Sequence, residues 1–228
     1  MCGRYRRTTR EEELARIYHI PIPAQPDLPI SYNIGPGQPV LAIRFNPETK
    51  QRTLDTLLWG LVPYWSKDGN TAFINARAER IDSAPAFRRP FQKRRCLIPA
   101  DGFYEWQKTP EGKVPHSIEM KDGFTFVFAG LWDGWQNPDT KEWLRTCVII
   151  TGEPNALVAQ IHTRMPVILP PETHEKCNRK FGLEPAFFEP LSRIENACRA
   201  PDRVAGTLCR SVMVIASMHD EARLGNDH

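Results

Sequence analysis

Proline is the residue type that most restricts the folds open to this chain. The 228 residues include 21 prolines, which interrupt the sequence along most of its length. A proline inside a helix removes a backbone hydrogen bond and clashes with the preceding turn, so long helices are excluded. Strands and helices do not alternate as they do in Rossmann or TIM folds. We therefore expect an α+β protein, a single domain over residues 1–228 built on mainly antiparallel β-sheet with a few short helices.

Short apolar stretches predict the strands of this sheet. The stretches lie at residues 40–45, 124–129, 146–151 and 212–216. Asp122-Gly123 and residues 109–112 are typical of hairpin turns, which join neighbouring antiparallel strands.

Few segments have the pattern of a helix. The clearest covers residues 9–18, where Thr9 and Glu12 form a capping box. Leu14, Ile17 and Tyr18 lie on one face of that helix. A second helix is predicted to begin at Pro154, with Ala156, Leu157 and Ile161 inward. Weaker helices are predicted over residues 76–81 and 172–181.

The distribution of charge is more informative than its sum. Thirty Lys and Arg against 27 Asp and Glu give a net charge of +3. Arginines crowd residues 4–10, and five cations lie within residues 88–95. Such clusters form either a phosphate-binding track or a solvated surface. No apolar run is long enough to cross a membrane and no secretory signal is visible, so we expect a cytoplasmic protein.

The six cysteines follow neither a metal-site pattern nor a disulfide pattern. They include no CxxC pair, and His174 with Cys177 lacks the second close pair that a zinc site needs. Without a secretory signal, free thiols in a reducing compartment are expected. We expect no metal and no organic cofactor.

The cysteine at position 2 has a specific chemical capacity. Because the initiator methionine is usually removed before a small residue, we expect a mature chain that begins at Cys2. Its α-amine, with a pKa of about 7.7–8.0, is partly neutral at physiological pH and attacks aldehydes to give a Schiff base. The thiol on the same residue then closes a five-membered thiazolidine ring. A lysine or an internal cysteine cannot close this ring.

Six segments occur in an order that resembles one protein family. They are MCGRY (1–5), YNIGPG (32–37), WGLVPYW (59–65), INARAE (74–79), RCLIPADGFYEW (95–106) and IHTRMP (161–166). Together they resemble the SRAP (SOS response-associated peptidase) family over about residues 1–170. Each segment alone is weak, but six in order after an N-terminal MCGR are highly specific.

The resemblance implies a barrel-like sheet core and a role in DNA repair. Members of this family act on abasic sites in single-stranded DNA. We also expect action at single-strand/duplex junctions, because a duplex that ends beside the site needs no melting on that side. The cysteine that matches Cys2 forms a thiazolidine crosslink with the ring-opened aldehyde, which shields the site from strand cleavage and error-prone bypass. The family also implies thiol autopeptidase activity and AP-lyase character. Only Met1 precedes Cys2 here, so a methionine aminopeptidase suffices to expose it. We expect a monomer.

Three further residues are candidates for the catalytic set. Glu105 lies in an aromatic run that suits a carboxyl for proton transfer, and the matching family residue is catalytic. His162 is a candidate to open the sugar ring or to shuttle protons. Asn75 can donate and accept without carrying charge, which suits it to orient the amine and the deoxyribose hydroxyl.

Other side chains are candidates to hold the DNA. Arg4, Arg77 and Arg164 offer guanidinium groups that match phosphate oxygens. Trp106, Trp65 and Pro36 offer apolar faces to the bases that flank the abasic gap. Trp59 and Trp132 are predicted in the core, and Gly3 and Gly102 are predicted to let the backbone pass close to the site.

Residues 171–228 match the family poorly. A Val-Ser and Val-Asn pair that usually forms a closing strand cannot be placed cleanly in this tail. Two alternative functions stay open. An N-terminal-cysteine hydrolase would use the same amine and thiol on an amide, whereas a non-catalytic single-strand DNA-binding module would leave Asn75, Glu105 and His162 without a purpose.

Overall fold

Strands dominate the structure, a computed structural model that describes residues 2–22, 28–46, 49–120, 123–174 and 211–214. The strands are β1 (Arg4–Arg7), β2 (Ser31–Ile34), β3 (Pro39–Asn46), β4 (Gln51–Trp59), β5 (Asn75–Arg77), β6 (Arg95–Ala100), β7 (Gly102–Thr109), β8 (Gly112–Met120), β9 (Phe126–Gln136), β10 (Trp143–Gly152), β11 (Met165–Pro166), β12 (Ile168–Leu169) and β13 (Ser211–Val214). The helices are α1 (Glu11–Ile17) and α2 (Arg88–Lys93), with 3₁₀ turns at Ala78–Arg80, Val158–Gln160 and Pro171–Thr173.

Five strands close into a ring. β3 pairs with β4 and with β6, β6 pairs with β9, and β9 pairs with β10, each antiparallel. β10 then pairs with β4 in parallel, which closes the ring and leaves these five strands without a free edge. The short strands β5 and β11 extend β10, and β12 extends β9. The expected α+β class with a barrel-like sheet core is confirmed.

An antiparallel sheet of five strands, in the order β13-β8-β7-β1-β2, packs against this barrel. Phe103 of β7 and Tyr5 of β1 are opposed in the ladder and both point inward. Each meets Phe128 of β9 edge-on, with ring centroids 6.0 and 5.7 Å apart. The buried cluster between sheet and barrel also contains Cys2 and Trp59. A second cluster, which includes Leu14 and Tyr18, lies toward α1.

The predicted strands are confirmed, with different ends. Residues 40–45 lie within β3 and residues 146–151 within β10. The strand predicted at 124–129 begins at Phe126 and continues to Gln136. The strand predicted at 212–216 is seen as β13, which pairs with β8 and closes the sheet at that edge; residues 215–216 lie outside the described residues. The strand predicted in the tail therefore lies at one edge of this sheet.

One of the two predicted hairpins is confirmed. Thr109 pairs with Gly112 across a two-residue loop between β7 and β8, and the φ of +135° at Gly112 favours glycine. Gly123 also lies in a turn, with its N–H donating to the Met120 carbonyl at 3.0 Å. Asp122 lies outside the described residues. The strands on either side, β8 and β9, belong to different sheets, so this turn connects two sheets and the hairpin prediction was wrong.

The predicted capping box at the first helix was wrong. The helix begins at Glu11, and its N-cap residue makes no side-chain cap hydrogen bond. The Thr9 hydroxyl instead donates to Asp101 Oδ1 at 2.7 Å, because the chain before the helix is held by the loop between β6 and β7. Leu14 and Tyr18 are buried as expected, but Ile17 is 43% exposed.

The other helix predictions were largely wrong. The segment after Pro154 forms one 3₁₀ turn, with Val158 and Ile161 buried but Ala156 exposed. Residues 76–81 hold the end of β5 and a 3₁₀ turn, and residues beyond 174 in the fourth segment lie outside the described residues. Helix α2 was missed because Pro90 stands inside it. A proline at its third position is tolerated, since no N–H of the first turn has an intrahelical partner. In the described part, no helix is long and apolar enough to cross a membrane.

Candidate active site

Cys2 lies buried between the sheet and the barrel. Its side chain has 0% exposure, and its Sγ lies 3.9 Å from the Arg4 carbonyl oxygen. Burial raises the pKa of the Cys2 thiol well above its ordinary value, and the charge of Glu105 raises it further. The side chain is therefore a thiol at neutral pH, and its proton has to be removed before the sulfur can react as a thiolate.

Glu105 reaches the same place from β7. Arg4 of β1 lies opposite Tyr104 of β7, so the residues before β1 run alongside Glu105. Side chains alternate along β7, with Phe103 and Glu105 inward and buried, and Trp106 outward. The carboxyl is only 2% exposed, and its charge acts on the Cys2 thiol. The structure thus brings a buried carboxyl to the cysteine.

Asn75 holds the main chain of Cys2. Its Nδ2 donates to the Cys2 carbonyl oxygen at 2.9 Å, from the first residue of the short strand β5. The Asn75 Oδ1 is buried and has no hydrogen-bond partner in the part of the chain that the structure describes. A buried oxygen without a partner costs free energy, so this acceptor is available for a donor that enters the site.

His162 follows the 3₁₀ turn Val158–Gln160. Its N–H donates to the Val158 carbonyl at 2.8 Å, and Val158 and Ile161 belong to the buried cluster that contains Cys2. The Arg164 N–H donates to His162 Nδ1 at 3.0 Å. The same nitrogen lies 3.2 Å from the Arg164 carbonyl oxygen. The ring is ordered by the backbone that follows it.

Arg164 is bound to a carboxylate rather than open to solvent. Its Nη1 and Nη2 donate to the two carboxylate oxygens of Glu79 at 2.6 and 3.0 Å, and Nη2 also donates to the Thr151 carbonyl. The Arg164 hydrogen bond lowers the pKa of Glu79, although burial opposes this. A phosphate would have to displace Glu79 before it could bind Nη1 and Nη2, the fork of the Arg164 guanidinium. The Thr151 Oγ1 beside it is buried without a hydrogen-bond partner among the described residues.

The other predicted DNA contacts lie on exposed faces. Arg77 is exposed at the end of β5, opposite Thr151 of β10. Arg4 lies across Gly35, where an added Cβ would come within 2.3 Å of Nη1, and Pro36 is the next residue. Trp106 and Trp65 are 37% and 47% exposed.

The structure joins some of the predicted site residues and not others. Asn75 contacts Cys2 directly and Glu105 acts on the Cys2 thiol through its charge, while His162, Arg164 and Arg77 are linked through β5, β10 and the turn before β11. No hydrogen bond among the described residues connects Trp65 to this group. Trp59 is buried as predicted, and Trp132 is half-buried, with Arg44 and Arg94 over its ring at 4.4 and 5.1 Å. Gly102 is closely approached by Arg6 and Ile118, away from Cys2.

Several arginines of the two cation clusters make hydrogen bonds or ion pairs within the fold. Arg7 is 2% exposed and donates to the carbonyls of Thr9, Leu28 and Pro29. Arg6 pairs with Glu119, and Arg94 pairs with Asp133. Neither cluster of cations is therefore available in full as a phosphate track.

The comparison with protein families decides the assignment. The model of the SOS response associated peptidase (SRAP) family matches residues 1–179. The chain belongs to the SRAP family. Among its relatives, the abasic site processing protein YoqW of Bacillus subtilis is 39% identical over 196 residues, which cover 84% of this chain and 86% of YoqW. The abasic site processing protein YoaM of the same species is 48% identical over 149 residues, 64% of each chain.

A crystal structure supports the SRAP fold. The structure of a protein from Bacteroides thetaiotaomicron superposes with a TM-score of 0.75 at 28% identity, covering 83% of this chain and 86% of that one.

Sequence reasoning missed some residues of this SRAP site. Glu79 lies inside the INARAE segment, two residues after Arg77, and this spacing could have indicated that it belongs to the site. Thr151 gave no signal in the sequence, because a single hydroxyl at the end of the apolar stretch 146–151 does not indicate a site. Among the described residues, no group of three or more His, Cys, Asp or Glu is placed to hold a metal ion.

Proposed function

We propose that this SRAP protein captures abasic sites in single-stranded DNA as a covalent thiazolidine, through the α-amine and thiol of Cys2 after Met1 has been removed. The observation that carries the proposal is that Asn75 and Glu105 both act on Cys2. Asn75 holds its carbonyl at 2.9 Å, and the buried carboxyl of Glu105 acts on its thiol. The relatives YoqW and YoaM are abasic site processing proteins, which supports abasic-site processing as the activity.

The reaction divides into two balanced steps. The neutral amine of Cys2 attacks the aldehyde carbon of the ring-opened sugar, and loss of one water gives the imine. The sulfur then adds to the imine carbon, a carbon–sulfur bond forms, and the ring nitrogen gains a proton. The Cys2 thiol is protonated at neutral pH because it is buried, so a base has to accept its proton as the ring closes.

The chain supplies a group for each proton transfer. Glu105 is placed to take the thiol proton and return it to nitrogen. His162 is the candidate to protonate the sugar ring oxygen as the aldehyde forms. The Asn75 Oδ1 accepts from the amine or from a deoxyribose hydroxyl. Lyase character follows from the imine, since the same intermediate permits strand cleavage before the thiol closes the ring.

The DNA is held by cations and aromatic faces. Exposed Arg77 and Arg4 meet backbone phosphates, and Arg164 joins them when phosphate displaces Glu79. Trp106, exposed on the outer face of β7 next to Glu105, stacks on a neighbouring base, and Trp65 and Pro36 extend the apolar contacts. We place the protein in the cytoplasm as a monomer, without metal or organic cofactor.

Two other functions use part of this geometry. An N-terminal-cysteine hydrolase or autopeptidase would employ the same amine and thiol on an amide. A purely DNA-binding module would have no use for a buried carboxyl beside a buried thiol. Burial of the carboxyl costs free energy, and DNA binding alone gives nothing in return for it.

The proposal is tested with one incubation. Protein with a confirmed Cys2 N-terminus is mixed with single-stranded DNA that contains one abasic site, then heated in denaturant and run on a gel. We expect a band of retarded mobility that forms with the abasic strand and not with an intact strand of the same sequence. A complex that dissociates fully on heating would contradict covalent capture.

A further inference from the structure

A buried histidine lies directly opposite Glu105. In the ladder between β7 and β8, Glu105 pairs with His116. Directly opposed side chains in an antiparallel pair lie on the same face, with Cβ atoms about 4.5–5.5 Å apart. The exposures are 2% for Glu105 and 3% for His116, so both side chains are enclosed by protein. The imidazole and the carboxyl are therefore within reach of each other.

Gln107 fixes a proton on one nitrogen of the His116 ring. Gln107 Nε2 donates to the Gln160 carbonyl oxygen at 2.9 Å, and a carbonyl can only accept, so the orientation of the amide is fixed. Its Oε1 therefore faces His116 Nε2, 3.1 Å away, and that nitrogen has to donate. The His116 ring therefore turns Nε2 toward Gln107, its diagonal neighbour. Nδ1 is the nitrogen that can reach Glu105, which lies directly opposite.

The same hydrogen bonds connect the two halves of the site. Gln160 ends the 3₁₀ turn that precedes His162, and the His162 N–H is bonded to Val158 in that turn. A chain from His116 through Gln107 to Gln160 thus ties the strand of Glu105 to the turn of His162. A shift of one would move the other.

We propose that His116 is a positioning residue for Glu105: its ring is the imidazolium with a proton on each nitrogen, so that Nδ1–H donates to the Glu105 carboxylate and holds it toward Cys2 while Nε2–H donates to Gln107. This inference rests on the proposed function, because it assigns Glu105 a proton transfer during ring closure. His116 itself acts through Glu105 and touches neither DNA nor the reacting atoms. Its sequence context gave no sign of this role.

The first test is a double-mutant cycle on the rate of crosslinking. His116→Phe keeps the ring size without nitrogen and is expected to slow crosslinking about tenfold, the effect of losing one hydrogen bond of ordinary strength. Affinity for intact single-stranded DNA should not change. His116→Asn, which places an amide near the position of Nδ1, should restore most of the rate. In a Glu105→Gln background, His116→Phe should have no further effect.

Each contrary result overturns the inference. Unchanged rates in His116→Phe, or effects of the two substitutions that multiply, show that His116 does not act through Glu105. His174→Phe is the matched control, because His174 is also buried and bonded, through Nε2 to the Leu169 carbonyl at 2.9 Å, but lies in the cluster toward α1. It should leave the crosslinking rate unchanged.

A second test needs no DNA. Nitrogen-15 NMR of the intact protein should show His116 protonated at both Nδ1 and Nε2, and Glu105→Gln should shift the Nδ1 resonance while Gln107→Leu shifts that of Nε2. An Nδ1 resonance that ignores Glu105→Gln overturns the inference whether or not the protein crosslinks DNA. Failure of crosslinking in the wild type with the expected NMR result would overturn the proposed function alone.

Discussion

Glu105 and His162 are expected to act on chemistry, not on binding. Glu105 is buried beside Cys2, and half-buried His162 directly follows Ile161 of the buried cluster that contains Cys2. Glu105→Gln and His162→Ala should each slow crosslinking by about 10²-fold or more, the usual contribution of a positioned acid or base. Fluorescence anisotropy with intact single-stranded DNA should show unchanged affinity. Equal loss of affinity and rate in these variants would refute the division of roles.

Arg77 is expected to show the opposite behaviour. It is exposed at the end of β5, next to the site but outside the buried cluster. Arg77→Ala should weaken binding and flatten the dependence of log K on log salt by about 0.7, the value for one single-strand phosphate. Arg16→Ala, the same charge change on the exposed face of α1, is the control and should leave the slope unchanged.

Glu79 is expected to compete with DNA for Arg164. Its two oxygens occupy the fork of that arginine, and its side chain is about half exposed. Glu79→Gln should tighten binding to single-stranded DNA by up to about fivefold, because exposed ion pairs contribute no more than about 1 kcal/mol. The gain should disappear in an Arg164→Ala background. Weaker binding of the Glu79→Gln variant would show that the ion pair supports the DNA site instead of blocking it.

At the scale of elements, Asp101 connects the start of the chain to the sheet. It accepts from the N–H groups of Thr8 and Thr9 and from both hydroxyls. Burial favours a raised pKa for Asp101, but the hydrogen bonds from Thr9 and Thr8 outweigh it and lower the pKa. Asp101→Asn should reduce the free energy of unfolding by about 2 kcal/mol in urea titrations at pH 7.

The effect of Asp101 has a defined pH range. A lowered pKa in the folded state stabilises the protein fully above the unfolded value of about 3.9, and this contribution is lost as pH falls through the folded value. The difference between wild type and Asp101→Asn should therefore shrink below about pH 4. Asp82→Asn, at an exposed position, is the control. A difference that stays constant down to pH 2 would exclude the ionised carboxylate as its source.

The sequence predicted best those strands whose hydrophobic pattern is uniform along their length. β3 and β10 have nearly continuous apolar runs, because each is buried as a barrel strand. The start of α1 was misassigned because Thr9 has an equally good partner in Asp101, more than ninety residues away. Short-range patterns cannot show such a partner, nor the closure of β10 onto β4.

The site shows the same limit. Cys2, Asn75 and Glu105 were found through their motifs, and the structure places them together. His116 was not found, because its significance depends on strand register, which sets it opposite Glu105. Arg164 was interpreted as a phosphate ligand because its carboxylate partner, 85 residues earlier, could not be matched to it from sequence alone.

For the whole molecule, the shape of the site predicts which DNA is accepted. The reactive amine belongs to the main chain and Cys2 is buried, so the abasic sugar has to enter deeply between sheet and barrel. A single strand bends at little cost, whereas the middle of a duplex loses a few kcal/mol for each unstacked step. Crosslinking should be fast in single strands, appreciable at single-strand/duplex junctions and slow within a duplex. Equal rates in single strand and duplex would refute this.

The measurement that tests the account most directly is the intact mass of the protein–DNA adduct. For the wild type we predict a heat-stable product whose mass equals protein without Met1 plus abasic DNA, less one water. For Cys2→Ala we predict no stable product, and a species two hydrogens heavier than the imine when borohydride is present. A normal heat-stable adduct of Cys2→Ala, or a wild-type adduct attached elsewhere than Cys2, would contradict the thiazolidine.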